Sequence, residues 1–136
     1  MKVILCIDKS DGMAFLGMRQ SRDRVLTQDI INDLGGEKLY IHPKTLKVFE
    51  KFDNSFLEVT EAPLADCDGV CFLELESPKA ELARVDTLVI YHWNREYPSD
   101  VKLGFKPREE GFRCISTSSF KGYSHEKITK EIWVRK

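Results

Sequence analysis

Two near-continuous apolar runs, VILCI at Val3–Ile7 and LVIYHW at Leu88–Trp93, constrain this chain most. A strand with one wet face alternates apolar and polar residues, whereas a strand covered on both faces does not. Both runs therefore predict interior strands of a sheet packed on its two sides. Around them, Lys38–His42 and the alternating Ser55–Val59 read as further strands, and so does Gly69–Leu75, after a break at Pro63 and Asp66. Pro43 suits the first turn of a helix, and Leu46, Val48 and Phe49 give a short amphipathic helix up to Phe52. Ser77–Arg84 is a turn or a single helical turn, and Asn94–Glu110, with Pro98, Gly104 and Pro107, is too broken for a helix. Phe112–Thr117 and Ile128–Arg135 alternate and predict an antiparallel hairpin at the sheet edge. The expected fold is α/β: one domain over residues 1–136, with a single mixed, mostly parallel sheet, flanking helices and a C-terminal antiparallel hairpin.

The densest polar chemistry lies between the first strand and the first long helix, in GMAFLGMRQSRDRVLTQDIINDLGG at Gly12–Gly36. Lys9–Gly12 should turn, and the apolar, Gly-punctuated Met13–Met18 reads either as a lid over the strand end or as a loop tucked onto the core. Ser21 is the expected N-cap, with the helix starting at Arg22 and Asp23 complementing the macrodipole. Leu26, Ile30 and Leu34, with Ile31 beside them, form one apolar stripe, and Gly35-Gly36 supplies the left-handed stop. Ligands of open α/β sheets bind at the carboxyl ends of the strands. That places a pocket among Cys6, Ile7, Met18, Arg19, Gln20, Arg22 and Ile30, with Tyr91 as its floor and Asp29 as the candidate acid. Asp29 has a plainer reading as a solvated helix residue, and Arg19 and Arg22 have one as ion-pair partners of Asp8, Asp11 or Asp23.

Charge and composition exclude several classes. With 21 Lys+Arg against 22 Asp+Glu the net charge is −1, so there is no global basic field for non-specific nucleic-acid binding, although Arg19, Arg22 and Arg24 form a local basic patch. No apolar run has the length of a membrane span, and the start of the chain does not read as a secretory signal, so a cytoplasmic protein is expected. The cysteines Cys6, Cys67, Cys71 and Cys114 make no C-x-x-C pair and read as reduced thiols. His42, His92 and His125 have no spacing that places two imidazoles on one ion, so no metal site is expected. A hydrolase of the ribonuclease Z type, which needs an H-x-H-x-D-H cluster, is not supported by these isolated histidines.

Laid out in this order, the chain resembles dihydrofolate reductase over nearly its whole length. KVILCID, DGMAFLGM and TQDII are similar to that family's central strand, Gly- and Met-rich lid and acid-bearing helix, and Asp29 falls at the acid. KLYIHPKTL keeps a Lys44-Thr45 pair where the family contacts cofactor phosphates, with Pro43 in place of a glycine. DTLVIYHWN, then Glu96-Tyr97-Pro98, then FRCISTSSFKGYSHEKITKEIWVRK resemble the late strand, aromatic-Pro turn and closing hairpin. Two departures stand out: ESPKAELARVDT, between Leu75 and Leu88, lacks the glycine pair that admits a pyrophosphate, and Tyr91 replaces the threonine beside the acid.

The resemblance therefore implies a small-ligand or partner-binding domain that has lost hydride transfer and needs no cofactor. The alternative is a divergent NADPH-dependent reductase of a pterin-like substrate, with Asp29 as acid and Lys44 and Thr45 on the cofactor. A third reading is metal-independent nucleic-acid processing through Arg19, Gln20, Arg22 and Arg24, with His92 or Lys44 in acid-base work.

Overall fold

In the computed structural model, which describes residues 1–136, the first apolar run forms β1 (Lys2–Ile7), the fourth of seven strands in one sheet. After β1 come β2 (Gly12–Phe15), β3 (Met18–Arg19), α1 (Arg24–Leu34), β4 (Leu39–Ile41) and β5 (Leu57–Val59). The short α2 (Pro63–Asp66) leads into β6 (Val70–Leu73), and β7 (Thr87–His92) carries the second apolar run. β8 (Val101–Lys102), β9 (Phe112–Phe120) and β10 (Ile128–Arg135) complete the chain. The large sheet runs β5-β4-β6-β1-β7-β10-β9, parallel from β5 to β7 and antiparallel from β7 to β9. Both apolar runs are thus interior, and the mixed sheet with its terminal hairpin is the expected fold.

Alternation along β1 explains why the run has no polar residue. Val3, Leu5 and Ile7 join the core on one face of the sheet, with Leu73, Leu88, Ile90 and Trp133. Ile4 points to the other face, where Leu26, Ile30 and Leu34 of α1 pack with Phe49, Phe72 and Val89. Each fully buried aliphatic side chain contributes roughly 1.5–3 kcal/mol, so α1 is held by its stripe more than by its intrinsic propensity. Gly35 ends the helix at φ 58°, a left-handed conformation that costs glycine nothing.

Several local expectations need correction. The N-cap is Asp23, not Ser21, and α1 begins at Arg24, because Asp23 accepts the amides of Val25 and Leu26 while the Ser21 hydroxyl turns to His125. Most of the expected lid is strand, all but Leu16 and Gly17: β2 and β3 pair with each other, and β2 pairs with β8 from the segment expected to be too broken for a helix. Pro43–Phe49 and Pro78–Arg84 are 3-10 helices. β9 runs on to Phe120, three residues past its expected end.

Ile30 is fully buried at the centre of the α1 stripe. Ile30→Ala should cost about 2–5 kcal/mol in urea unfolding with little change in denaturant dependence; a loss under about 1 kcal/mol would mean that this face is not the core.

A candidate site at the helix N-terminus

A narrow cleft, its enclosed volume only about 10 Å³, opens where the parallel strands end and α1 begins, lined by Cys6 of β1, Phe72 to Glu74 at the end of β6, Trp93 after β7, and Arg19 to Asp23. β1 lies between β6 and β7, so the chain leaves neighbouring strand ends in opposite directions here, the arrangement that leaves a crevice in open α/β sheets.

Asp23 is the anchor. Its side chain is fully buried and takes the amides of Val25 at 2.9 Å, Leu26 at 3.3 Å, Tyr123 at 3.0 Å and Ser124 at 2.9 Å, with His125 Nδ1 at 2.9 Å. One carboxylate thereby caps the helix and pins the loop of the closing hairpin onto it. The close approach requires Gly122, since a Cβ there would lie 2.6 Å from Asp23 Oδ2 and 2.9 Å from Ile128 Cδ1. Burial alone would raise the Asp23 pKa; the Tyr123 amide, His125 and the Ser124 and Leu26 amides outweigh it and hold the carboxyl far below the usual range.

The ring of His125 follows from this. An ionised carboxylate only accepts, so Nδ1 carries the proton, and in the neutral ring Nε2 is an acceptor. Two hydroxyls reach Nε2, Ser21 Oγ at 3.0 Å and Tyr97 Oη at 3.1 Å, and Trp93 stacks on the imidazole at 4.6 Å. A second buried carboxylate, Asp8, places Tyr97 by accepting its amide at 3.1 Å and holds Gln20 through Nε2 at 3.0 Å.

Arg19 and Glu74 close the inner end of the cleft. Arg19 Nε donates to both Glu74 oxygens, at 3.0 and 2.9 Å, and its side chain also reaches the Lys44 carbonyl. Burial pushes the Glu74 pKa up against the opposing pull of Arg19. Outside, a basin of about 250 Å³ continues past Arg22 and is lined by Arg24, Lys47, Lys51, Glu50, Phe52 and Tyr123. Arg22 is half-exposed, donates to the Lys47 carbonyl at 3.0 Å and faces Glu50 at 3.8 Å, while Arg24 lies 4.4 Å over the Tyr123 ring.

Of the expected site residues, Cys6, Arg19, Gln20 and Arg22 line the cleft. Ile7 is buried in the core of the opposite face, Ile30 packs in the core, and Met18 is exposed on β3. Asp29 lies elsewhere: Tyr91 Oη donates to it at 2.6 Å and Lys130 Nζ at 2.8 Å, and Lys130 also pairs with Asp33. Tyr91 is thus the floor of that ion-pair cluster, with its own pKa raised by burial and then by Asp29. Lys44 Nζ is bonded to the Gly17 carbonyl at 3.1 Å, and Thr45 is fully buried. Asp23, Glu74, Trp93, Lys47, Lys51 and His125 are the residues that sequence reasoning missed, and a polar residue directly after an apolar strand was the one signal available for Glu74.

No group of three or more His, Cys, Asp or Glu converges to hold a metal ion. The segment between β6 and β7 has no glycine and coils into 3-10 turns over Pro78–Arg84, kinked at Glu81. No helix is long and apolar enough to cross a membrane.

Neither a protein-family model nor a curated protein matches the sequence. Among solved structures, dihydrofolate reductase from Enterococcus faecalis complexed with NADP(H) and RAB-propyl superposes with a TM-score of 0.66 over 98% of this chain and 95% of that one, at 9% identity. The fold is that of dihydrofolate reductase. At such identity the shared feature is the backbone plan, and on this dihydrofolate reductase fold the cleft is furnished with Asp23, His125 and Arg19–Glu74.

Asp23→Ala should cost more than about 3 kcal/mol, since it removes a cap and leaves buried amides and an imidazole unpaired, whereas Ser21→Ala should cost under about 1 kcal/mol. Because the folded pKa of Asp23 lies below the unfolded value of about 3.9, its contribution is present above that pH and fades as acid carries the pH down toward the folded pKa. Urea titrations of both variants and the parent from pH 7 to about pH 2, well below the unfolded value, check this; equal losses in the two variants at pH 7 would contradict it.

Proposed function

We propose that this protein is a cytoplasmic small-ligand-binding domain on the dihydrofolate reductase fold, that it has lost hydride transfer, and that its ligand is a small anion bearing a carboxylate or phosphate. The observation that carries the reading is the outer basin, where Arg22, Arg24, Lys47 and Lys51 face one carboxylate, Glu50, while Asp23 is consumed by its own hydrogen bonds. Guanidinium groups at a helix N-terminus favour planar anions twice over, through bidentate hydrogen bonds and through the macrodipole. Tyr123, 60% exposed beside them, offers a ring for a flat apolar part of the ligand.

Loss of hydride transfer is supported by what the candidate groups already do. Asp29 is paired with Lys130 and Tyr91, Lys44 holds Gly17, and the segment from Glu76 to Thr87 has no glycine. A reductase needs an acid and a phosphate cradle that are free to meet substrate and cofactor.

Calorimetry at low salt with folate, citrate and adenosine monophosphate tests the reading. At least one probe should bind with a Kd below about 1 mM, roughly −4 kcal/mol, and Lys47→Glu/Lys51→Glu should weaken it at least tenfold, as should raised salt. Binding that ignores the double reversal, or no binding to any anion, overturns the proposal. NADPH-dependent reduction of dihydrofolate would restore the reductase alternative.

A further inference from the structure

Three side chains at the mouth of the inner cleft stand in a relation that anion binding does not use. Ser21 Oγ lies 3.0 Å from His125 Nε2, and His125 Nδ1 lies 2.9 Å from Asp23 Oδ2. The base and the carboxylate are buried, with side-chain exposures of 2% and 0%, while Ser21 is part-exposed and lines the cleft. We propose that Ser21, His125 and Asp23 form an acyl-transfer site that takes small carboxylic esters, with Ser21 as the nucleophile.

Each requirement of such a site has a counterpart here. A serine hydroxyl is a weak nucleophile until a base accepts its proton, and the base must present an unprotonated nitrogen to it. Asp23 fixes that tautomer by accepting from Nδ1, and its many hydrogen-bond donors keep it ionised, so it stays a carboxylate opposite an imidazolium. Trp93 stacked on the ring at 4.6 Å and the buried setting limit water around the base. For the carbonyl oxygen, the backbone N–H groups of Arg22 and Asp23, the two residues after Ser21, make no hydrogen bond within the protein and stand at the positive end of α1.

The step balances without a cofactor. Ser21 Oγ attacks the ester carbonyl carbon, its proton passes to His125 Nε2, and the carbonyl electron pair moves onto oxygen. Collapse of that adduct breaks the bond to the alkoxide oxygen, which leaves with the proton from Nε2 and gives acyl-Ser21 and an alcohol. Water then repeats the sequence, releasing the carboxylic acid and restoring the hydroxyl. Tyr97 Oη, 3.1 Å from Nε2, can accept from the transient imidazolium and steady it.

The constellation stands apart from the anion reading, so its test uses a neutral ester and a neutral labelling reagent. Purified protein is treated with 4-nitrophenyl acetate and, separately, with a fluorophosphonate, and the products are read by intact mass and peptide mapping. The expected result is one acetyl or phosphonyl group on Ser21, with nitrophenol release that falls on the order of 10²-fold in Ser21→Ala, a variant whose circular dichroism should match the parent. His125→Gln should abolish labelling; because it touches a buried ring, the parent's labelling position remains the deciding readout. Absence of label from folded parent protein, or label at any other residue, overturns the proposal.

Discussion

A single buried carboxylate holds this structure's chemistry together. Asp23 takes charge-assisted hydrogen bonds from the first turn of α1 and from three consecutive residues, Tyr123 to His125, at the far end of the chain. Buried charge is costly unless every lone pair is matched, and here the matching groups come from two elements about a hundred residues apart in the chain. Docking the hairpin loop on the helix start is thus the condition under which Asp23 can be buried at all, and Gly122 is the residue that permits the approach.

From that anchor the site follows outward. His125 is oriented by Asp23, Trp93 covers the ring, and Ser21 and Tyr97 reach its free nitrogen. Arg19 and Glu74 then close the inner end while Arg22, Arg24, Lys47 and Lys51 open onto the basin. The parallel core supplies the rigid strand ends; most of the polar residues that line the cleft, Gln20 to Asp23 and Glu74, sit on the connections, where side chains can change without loss of the fold.

Much of the fold was legible because it rests on local pattern. Continuous apolar runs marked β1 and β7, the four-residue spacing of Leu26, Ile30 and Leu34 marked α1, and alternation marked β9 and β10. The site was less legible because its contacts are not local. Ser21 is a good cap by residue type, yet Asp23 wins since its competing partners lie about a hundred positions away. Asp29 carried the family-like spacing, but Lys130, on a strand known only as an alternating segment, claims it. His125 gave no signal, being a lone histidine in a polar turn whose meaning depends on what that turn touches.

The central claim is that Asp23 is an ionised, fully bonded hub. Carbon-13 NMR of its side-chain carboxyl under acid titration measures this directly. Asp23 should show no protonation shift as the pH passes through about 3.9, the ordinary aspartate value. A midpoint near that value in the folded protein would contradict the account.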